Sequence, residues 1–322
     1  MFGRIGCLKL TRTKDDAVNS NQTLTDEQIE AFIDRGVLVL EDAIDVETVD
    51  AWIGAFCERS GVNLANPATW PAPYTQTATR YGTTQDVPVG ELAPRLWAAM
   101  CDLVGGEERF SEAATMKDRF VANFSNGADQ PWRTPILEAR GGHIDGDYNH
   151  FIDSPEAALF CVILWTDVTE RGGATYIAPD SIGHALRQLL ANPQGLSAKQ
   201  LRSTHNVSDQ CRDVRAAAGK RGTAYLMHPK MVHAASQNHA GTPRLITNII
   251  PPLRSPMKFS TAGGHVLSPV ERCTLRQLGV TLLDYQPPAE HLRCATDHDT
   301  GELLPWKYGE KPSYKSGTAP VV

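Results

Sequence analysis

The segment GTAYLMHPKMVHAASQNHAGTPRLITN, residues 222–248, contains two short apolar runs separated by a polar connection. The runs GTAYLMHP and RLITNIIPP are typical of strands bounded by turn-forming residues. Three earlier runs have the same character, namely DRFVANFS, ALFCVILWTDV and GATYIAPD. The second half of the chain is therefore predicted to be a series of strands.

The N-terminal part of the chain is predicted to be helical. Thr25 and Gln28 form a capping box ahead of the amphipathic run DEQIEAFIDR, and Gly36 ends this helix. A strand, VLVLEDAI, follows, and Asp45 then begins a second helix, VETVDAWIGAFCER. Residues 62–88 are rich in Pro, Thr, Asn and Tyr and are predicted to be a loop, after which GELAPRLWAAMCDLVGG is predicted to be a third helix.

The order of these elements indicates the fold class. Helices come first and strands follow without βαβ alternation, which argues against a Rossmann-type sheet and favours an antiparallel sandwich or barrel. One domain is predicted over 1–322, with a helical part at about 20–105, a β core at about 118–255 and a C-terminal extension at about 256–322. Residues 185–220 are polar and partly helical, and we expect an insertion over one mouth of the barrel that acts as a lid.

Composition excludes several classes of partner. The 322 residues include 37 acidic and 31 basic side chains, which give a formal charge of −6. A protein with this net charge is not expected to bind nucleic acid or an anionic membrane. No apolar run approaches the roughly 18 residues of a membrane span. The seven cysteines form no CxxC pair. The apolar residues within 1–14 are too often interrupted by polar residues to form the hydrophobic region of a secretory signal. We therefore expect a soluble, cytoplasmic protein.

A second segment, EARGGHIDGDYNHFIDSPE, residues 138–156, contains two histidines and three aspartates, and two interpretations of it compete. One is a calcium-binding module using the EF-hand-like loop Asp145–Glu156, but His150 fills the position that needs glycine and Pro155 precedes Glu156. If no calcium binds, Asp147, Asn149 and Asp153 are predicted to be solvated turn residues. Asp147 or Tyr148 is a less favoured candidate to face a substrate.

The other interpretation is a metal site formed by His143 and Asp145. Residues two apart in an extended strand lie on one face, so this imidazole and carboxylate can hold one side of an iron ion. A third ligand is then required, and His233 follows an apolar strand and a proline turn. Eleven residues later stands Arg244, whose guanidinium can bind a carboxylate in bidentate fashion. His228 and His239 are assigned no ligand role.

These four residues give the chain its resemblance to the phytanoyl-CoA dioxygenase family, whose pattern is His-x-Asp, a distant His, and Arg eleven residues later. The segment TLTDEQIEAFIDRGVLVLEDAI also resembles the opening helix and strand of the family. TDVTERGGATYIAPDSIGH resembles its Gly-rich turn, although Pro-Asp-Ser-Ile-Gly-His replaces the usual Pro-Gly-Ser-His. The resemblance covers most of residues 23–252.

The resemblance implies a double-stranded β-helix, that is, a cupin-like jelly roll, mainly β with N-terminal helices. It implies that His143, Asp145 and His233 bind Fe(II), that Arg244 binds 2-oxoglutarate, and that O2 is the second cosubstrate. The implied reaction is hydroxylation, desaturation or another oxidation of an unactivated C–H bond in a small organic substrate of specialised or natural-product metabolism. An acyl-CoA hydroxylase of lipid metabolism is the alternative within the same family.

One departure from the family pattern concerns the 2-oxoglutarate site. Many such enzymes place a serine two residues after the arginine, where this chain has Ile246. A hydroxyl partner for the cosubstrate must then come from elsewhere. The candidates are Thr175, Tyr225 and Thr247, of which we select Thr175.

Overall fold

The computed structural model describes residues 23–139, 141–203, 205–286, 295–297 and 300–304. Residues 1–14, discussed above, and part of the extension predicted at 256–322 lie outside the described residues.

The predicted N-terminal elements are confirmed. Helix α1 (Asp26–Arg35) begins with the capping box of Thr25 and Gln28 and ends at a glycine with left-handed backbone angles. Strand β1 (Val37–Leu40) follows. Helix α2 (Val46–Ser60) begins where the Asp45 carboxylate accepts a backbone hydrogen bond, and a second left-handed glycine ends it.

The prediction of a continuous loop over 62–88 is wrong. This segment contains β2 (Tyr74–Gln76), α3 (Thr77–Tyr81) and β3 (Asp86–Pro88). Its polar sequence has no periodicity, and β2 owes its order to antiparallel pairing with a strand far along the chain. The predicted third helix is two helices, α4 (Val89–Leu92) and α5 (Pro94–Val104), because a proline lacks the N–H that a continuous helix would need at that position.

All five predicted strands of the second half are present, as β5, β6, β7, β9 and β11. The strands from β4 onward are β4 (Thr115–Lys117), β5 (Val121–Asn123), β6 (Phe160–Leu164), β7 (Thr175–Ala178), β8 (Arg215–Ala217), β9 (Ala224–Met227), β10 (Val232–Ala234), β11 (Arg244–Ile249), β12 (Ala295–Thr296) and β13 (Leu303–Leu304). The later helices are α6 (Ser181–Ala191), α7 (Ala198–Ser203) and α8 (Pro269–Leu278).

Two antiparallel sheets form the core. The larger has the strand order β1-β9-β6-β11-β5-β2, and the smaller has the order β10-β7-β8. At the free edge of β10, His143 and His233 exchange two backbone hydrogen bonds of 3.0 and 2.9 Å, which adds the segment around His143 to the small sheet. Within residues 185–220, β8 also belongs to this sheet, and α6 packs with a buried apolar face.

One face of strand β11 is directed toward helix α2, and its other face is directed toward the space between the two sheets. Thr247 accepts a hydrogen bond of 2.9 Å from the Trp165 indole, and Trp165 stacks on Trp52 of α2. Because side chains alternate along a strand, Arg244 and Ile246 lie on the opposite face, where they line a cavity. No described helix has the length and apolar character needed to cross a membrane.

Candidate metal centre

Three predicted ligands lie together at the edge of the small sheet. Ligand atoms of His143, Asp145 and His233 are all within 4.8 Å of one another, and within the described ranges no other group of three or more His, Cys, Asp or Glu residues meets this criterion. An Asp145 carboxylate oxygen is 3.2 Å from Nε2 of His143 and 3.5 Å from Nε2 of His233. The two histidines, separated widely in sequence, are brought together by the backbone pairing between their segments.

Hydrogen bonds to backbone carbonyls orient both imidazoles. Nδ1 of His143 is 2.9 Å from the Gly141 carbonyl, and Nδ1 of His233 is 3.2 Å from the Met231 carbonyl. A carbonyl only accepts, so each Nδ1 carries a proton and each Nε2 points toward Asp145. Such outer hydrogen bonds set the tautomer and orientation of metal-binding histidines.

Packing and charge complete the geometry. The Phe160 ring stacks on His233 with centroids 4.2 Å apart, which holds that imidazole in place. Burial opposes ionisation of Asp145, but the neighbouring imidazoles outweigh it, so the pKa of Asp145 lies below its usual range. Burial likewise opposes protonation of His143, yet Asp145 raises the pKa of that imidazole overall. The site therefore presents an ionised carboxylate between two imidazoles.

This donor set suits a transition-metal ion. Two histidine nitrogens and one carboxylate are the ligands of facial non-haem Fe(II) sites. Ligand atoms about 2.1 Å from a metal and at right angles are about 3.0 Å apart. The observed separations of 3.2 and 3.5 Å are close to that value, so one ion fits between the three side chains.

Arg244 lies in the cavity of about 330 Å³ that these ligands also line. The residue is only 1% exposed, and its Nε has no hydrogen-bond partner within the described chain. One terminal nitrogen donates to the Val121 carbonyl at 3.2 Å, and the guanidinium carbon lies 5.8 Å from the Tyr74 ring centroid. Burial lowers the pKa of Arg244 from its usual value, with partial compensation from Tyr74. A buried cation with an unused donor is a site for an anionic ligand.

The three candidate hydroxyls are placed differently. Thr175, at the start of β7, lines the cavity with Arg244. Tyr225 donates to the Ala218 carbonyl at 2.6 Å, and Thr247 contacts Trp165 on the far face of β11. Tyr74 also lines the cavity, and sequence reasoning missed it because it belongs to the segment predicted to be a loop.

The segment after Asp145 is not the solvated turn that its sequence predicts. Asn149 and Asp153 are buried, and the Asn149 amide donates to the Gln194 carbonyl at 2.8 Å. His150, in the position that a calcium loop gives to glycine, is buried as well. The calcium-binding alternative is therefore not favoured.

The two remaining histidines near β10 have structural contacts. His228 is buried, where its Nδ1 accepts from the Lys230 backbone at 3.1 Å, so it caps the turn before the strand. His239 is exposed and lies 3.1 Å from the Gly127 carbonyl. Neither belongs to the ligand cluster.

A second cavity, of about 210 Å³, reaches His143 and Asp145 from the side of α7. Its lining includes Lys199 and Arg202 of that helix and Asp147, which lies two residues after Asp145. His143 and Asp145 therefore line both cavities, one of which contains Arg244 and the other of which is lined by Ala198, Lys199 and Arg202.

No protein-family model matches the sequence, and no curated protein matches it. Among similar solved structures is SnoK, a non-haem α-ketoglutarate-dependent carbocyclase from nogalamycin biosynthesis, at 15% identity and a TM-score of 0.44, covering 74% of this chain and 88% of SnoK. EctD from S. alaskensis, solved with 2-oxoglutarate and 5-hydroxyectoine, has 16% identity and a TM-score of 0.41, with 74% and 79% covered.

HygX from Streptomyces hygroscopicus, solved with nickel, 2-oxoglutarate and hygromycin B, has 12% identity and a TM-score of 0.41, with 76% of this chain and 97% of HygX covered.

Proposed function

We propose that this protein is a non-haem Fe(II)- and 2-oxoglutarate-dependent dioxygenase that oxidises an unactivated C–H bond of a small organic substrate. The observation that carries the proposal is that His143, Asp145, His233 and the buried cation Arg244 all line the same cavity. A metal site alone is compatible with many functions. A metal site beside an incompletely paired buried arginine is suited to a ligand that chelates the metal and ends in a carboxylate, as 2-oxoglutarate does.

Each residue then has a distinct task. The Nε2 atoms of His143 and His233 and the carboxylate of Asp145 hold the iron, and three protein ligands leave positions for 2-oxoglutarate and O2. With these cosubstrates, iron supplies the oxidising chemistry. Arg244 binds the far carboxylate of 2-oxoglutarate, and we propose that the Thr175 hydroxyl is a second partner of that carboxylate.

We assign the two cavities to two ligands. The cavity with Arg244 takes 2-oxoglutarate, and the cavity beside α7 admits the substrate to the opposite side of His143 and Asp145. A volume of about 330 Å³ is at the lower end of the usual range for ligand sites and one of about 210 Å³ is below it, which favours a small organic molecule over an acyl-CoA. We further propose that residues 185–220 act as a lid, that the core is a double-stranded β-helix, and that the enzyme acts in the cytoplasm in specialised metabolism.

An anaerobic titration tests the proposed function. Fe(II) added with 2-oxoglutarate is expected to give the weak visible charge-transfer band of the chelate, and calcium is not expected to compete. In air, the protein should form succinate in an Fe(II)-dependent reaction. Mass spectrometry of candidate substrates should then detect a gain of one oxygen or a loss of two hydrogens. A protein with no band, no succinate and tight calcium binding would not be a dioxygenase.

Replacing Thr175 with valine is expected to weaken 2-oxoglutarate binding about tenfold, since a hydrogen bond from a hydroxyl to a carboxylate contributes about 1.5 kcal/mol, the lower end for charged acceptors. Valine keeps the shape of the side chain, so Fe(II) affinity should stay unchanged. Thr247→Val is the matched control, because Thr247 lies on the opposite face of β11 from the cavity. Equal 2-oxoglutarate affinities for the wild type and Thr175→Val would remove Thr175 from the site.

A further inference from the structure

A buried polar chain connects the two segments that supply the proposed metal ligands. Lys230 Nζ is 3.1 Å from His150 Nδ1, and His150 Nε2 is 3.1 Å from the Gly146 carbonyl. Lys230 is 1% exposed and His150 is fully buried. Lys230 precedes His233 by three residues, and Gly146 follows Asp145 directly. This hydrogen-bonded connection therefore runs from the turn before β10 to the backbone next to Asp145.

The proton positions in this chain follow from the groups at its ends. The Gly146 carbonyl can only accept, so Nε2 of His150 must carry a proton. A neutral imidazole then has a lone pair on Nδ1, which accepts from the Lys230 amine. Burial and the charge of Lys230 lower the pKa of His150 well below its usual value, in agreement with a neutral ring.

The backbone of Gly146 is restrained from another direction as well. Gly146 has φ +118°, and a Cβ there would lie 2.1 Å from the Tyr148 ring. The Tyr148 ring in turn packs on His150 with centroids 4.1 Å apart and lies 5.6 Å from Lys230 Nζ. The Gly146 backbone, directly after Asp145, is thus held both by packing and by the His150 hydrogen bond.

The other end of this polar chain, at Lys230, is anchored to helix α8. The Lys230 backbone N–H donates to Nδ1 of His228, and Nε2 of His228 is 3.0 Å from the Thr274 hydroxyl of α8. Lys230 is therefore fixed at its backbone as well as at its amine. A rigid connection of this kind can determine where one metal ligand stands relative to another.

We propose that Lys230 and His150 are positioning residues for the metal site. Lys230 selects the Nε2–H tautomer of His150, and that N–H orients the Gly146 carbonyl and so the Asp145 carboxylate with respect to His233. The proposal rests on the metal site proposed above and adds the residues that hold its carboxylate in place.

The first test measures metal affinity, with Co(II) as the probe. Lys230→Met removes the amine but keeps an unbranched side chain, and it is expected to weaken Co(II) binding about ten- to hundredfold, as is typical for loss of outer hydrogen-bond partners. Thr247→Val is the matched control, because it removes a buried hydrogen bond on the face of β11 that lies away from the cavity. Its Co(II) affinity is expected to equal that of the wild type, measured below the melting temperature of every variant.

A double-mutant cycle shows whether the two residues act together. If they form one chain, Lys230→Met and His150→Phe combined should cost no more Co(II) affinity than the larger single effect. Fully additive losses, or a Lys230→Met protein that binds Co(II) like the wild type, would overturn the proposal. Wild-type protein that binds no divalent metal would instead refute the proposed function.

The second test needs neither a variant nor a metal. In apo wild-type protein labelled with ¹⁵N-histidine, two-bond ¹H–¹⁵N correlations distinguish the two neutral tautomers and the imidazolium. His150 is expected to show the Nε2–H pattern at neutral pH. An Nδ1–H tautomer or an imidazolium at His150 would contradict the proposed chain whatever the metal affinities are.

Discussion

Replacing His233 with alanine is expected to lower Fe(II) affinity by more than about a hundredfold, since loss of outer partners alone typically costs about 10–100-fold. The substitution removes one of three ligands and leaves Asp145 paired with a single imidazole. The charge-transfer band with 2-oxoglutarate should disappear in the anaerobic titration, and His143→Ala should behave in the same way.

His239→Ala is the matched control for this prediction. His239 also follows β10, but it is exposed, and its side chain contacts the Gly127 carbonyl and the Trp132 ring. Its Fe(II) affinity should equal that of the wild type. If His233→Ala retained wild-type affinity, the metal site would have to be formed by other residues.

Replacing Arg244 with alanine is expected to weaken 2-oxoglutarate binding about ten- to hundredfold. A hydrogen-bonded pair that involves a charge contributes about 1.5–3 kcal/mol, which corresponds to this change in the dissociation constant. Fe(II) binding in the absence of 2-oxoglutarate should stay near the wild-type value, because Arg244 is not a ligand. Titration of the Fe(II)-loaded protein with 2-oxoglutarate measures the first quantity, and Fe(II) titration alone measures the second.

Two further variants sharpen the Arg244 experiment. Arg244→Lys keeps the charge but loses the planar pair of donors, so it should recover only part of the affinity. Arg119→Ala removes an exposed cation that lines the same cavity, and a surface charge of this kind is expected to contribute little. A larger loss in Arg119→Ala than in Arg244→Ala would identify Arg119 as the anchor instead.

Local signals in the sequence predict much of the fold. The capping box of Thr25 and Gln28 and the glycines after α1 and α2 define helix ends through contacts only a few residues long. The strand-like runs are recognisable because each must bury apolar side chains. The segment 62–88 carries neither signal, so β2 and its Tyr74 escaped prediction and became visible only through pairing with β5.

Burial of polar residues was the other failure of prediction. Polar side chains are mostly exposed, so Asn149 and Asp153 were expected to be solvated. Such residues become buried only where partners satisfy them, as the Gln194 carbonyl does for Asn149. The same argument applies to Lys230, whose partner His150 lies eighty residues away.

By itself, the sequence determined the types of candidate ligand, their spacing and the ends of α1 and α2, because these depend on neighbouring residues and on the two-residue period of a strand. It also placed Arg244 at the start of a strand. Only the tertiary structure decided that His143 pairs with His233, that Thr175 rather than Thr247 lines the cavity with Arg244, and that Lys230 reaches His150. Those outcomes depend on the register and packing of segments remote in sequence, which local preferences do not encode.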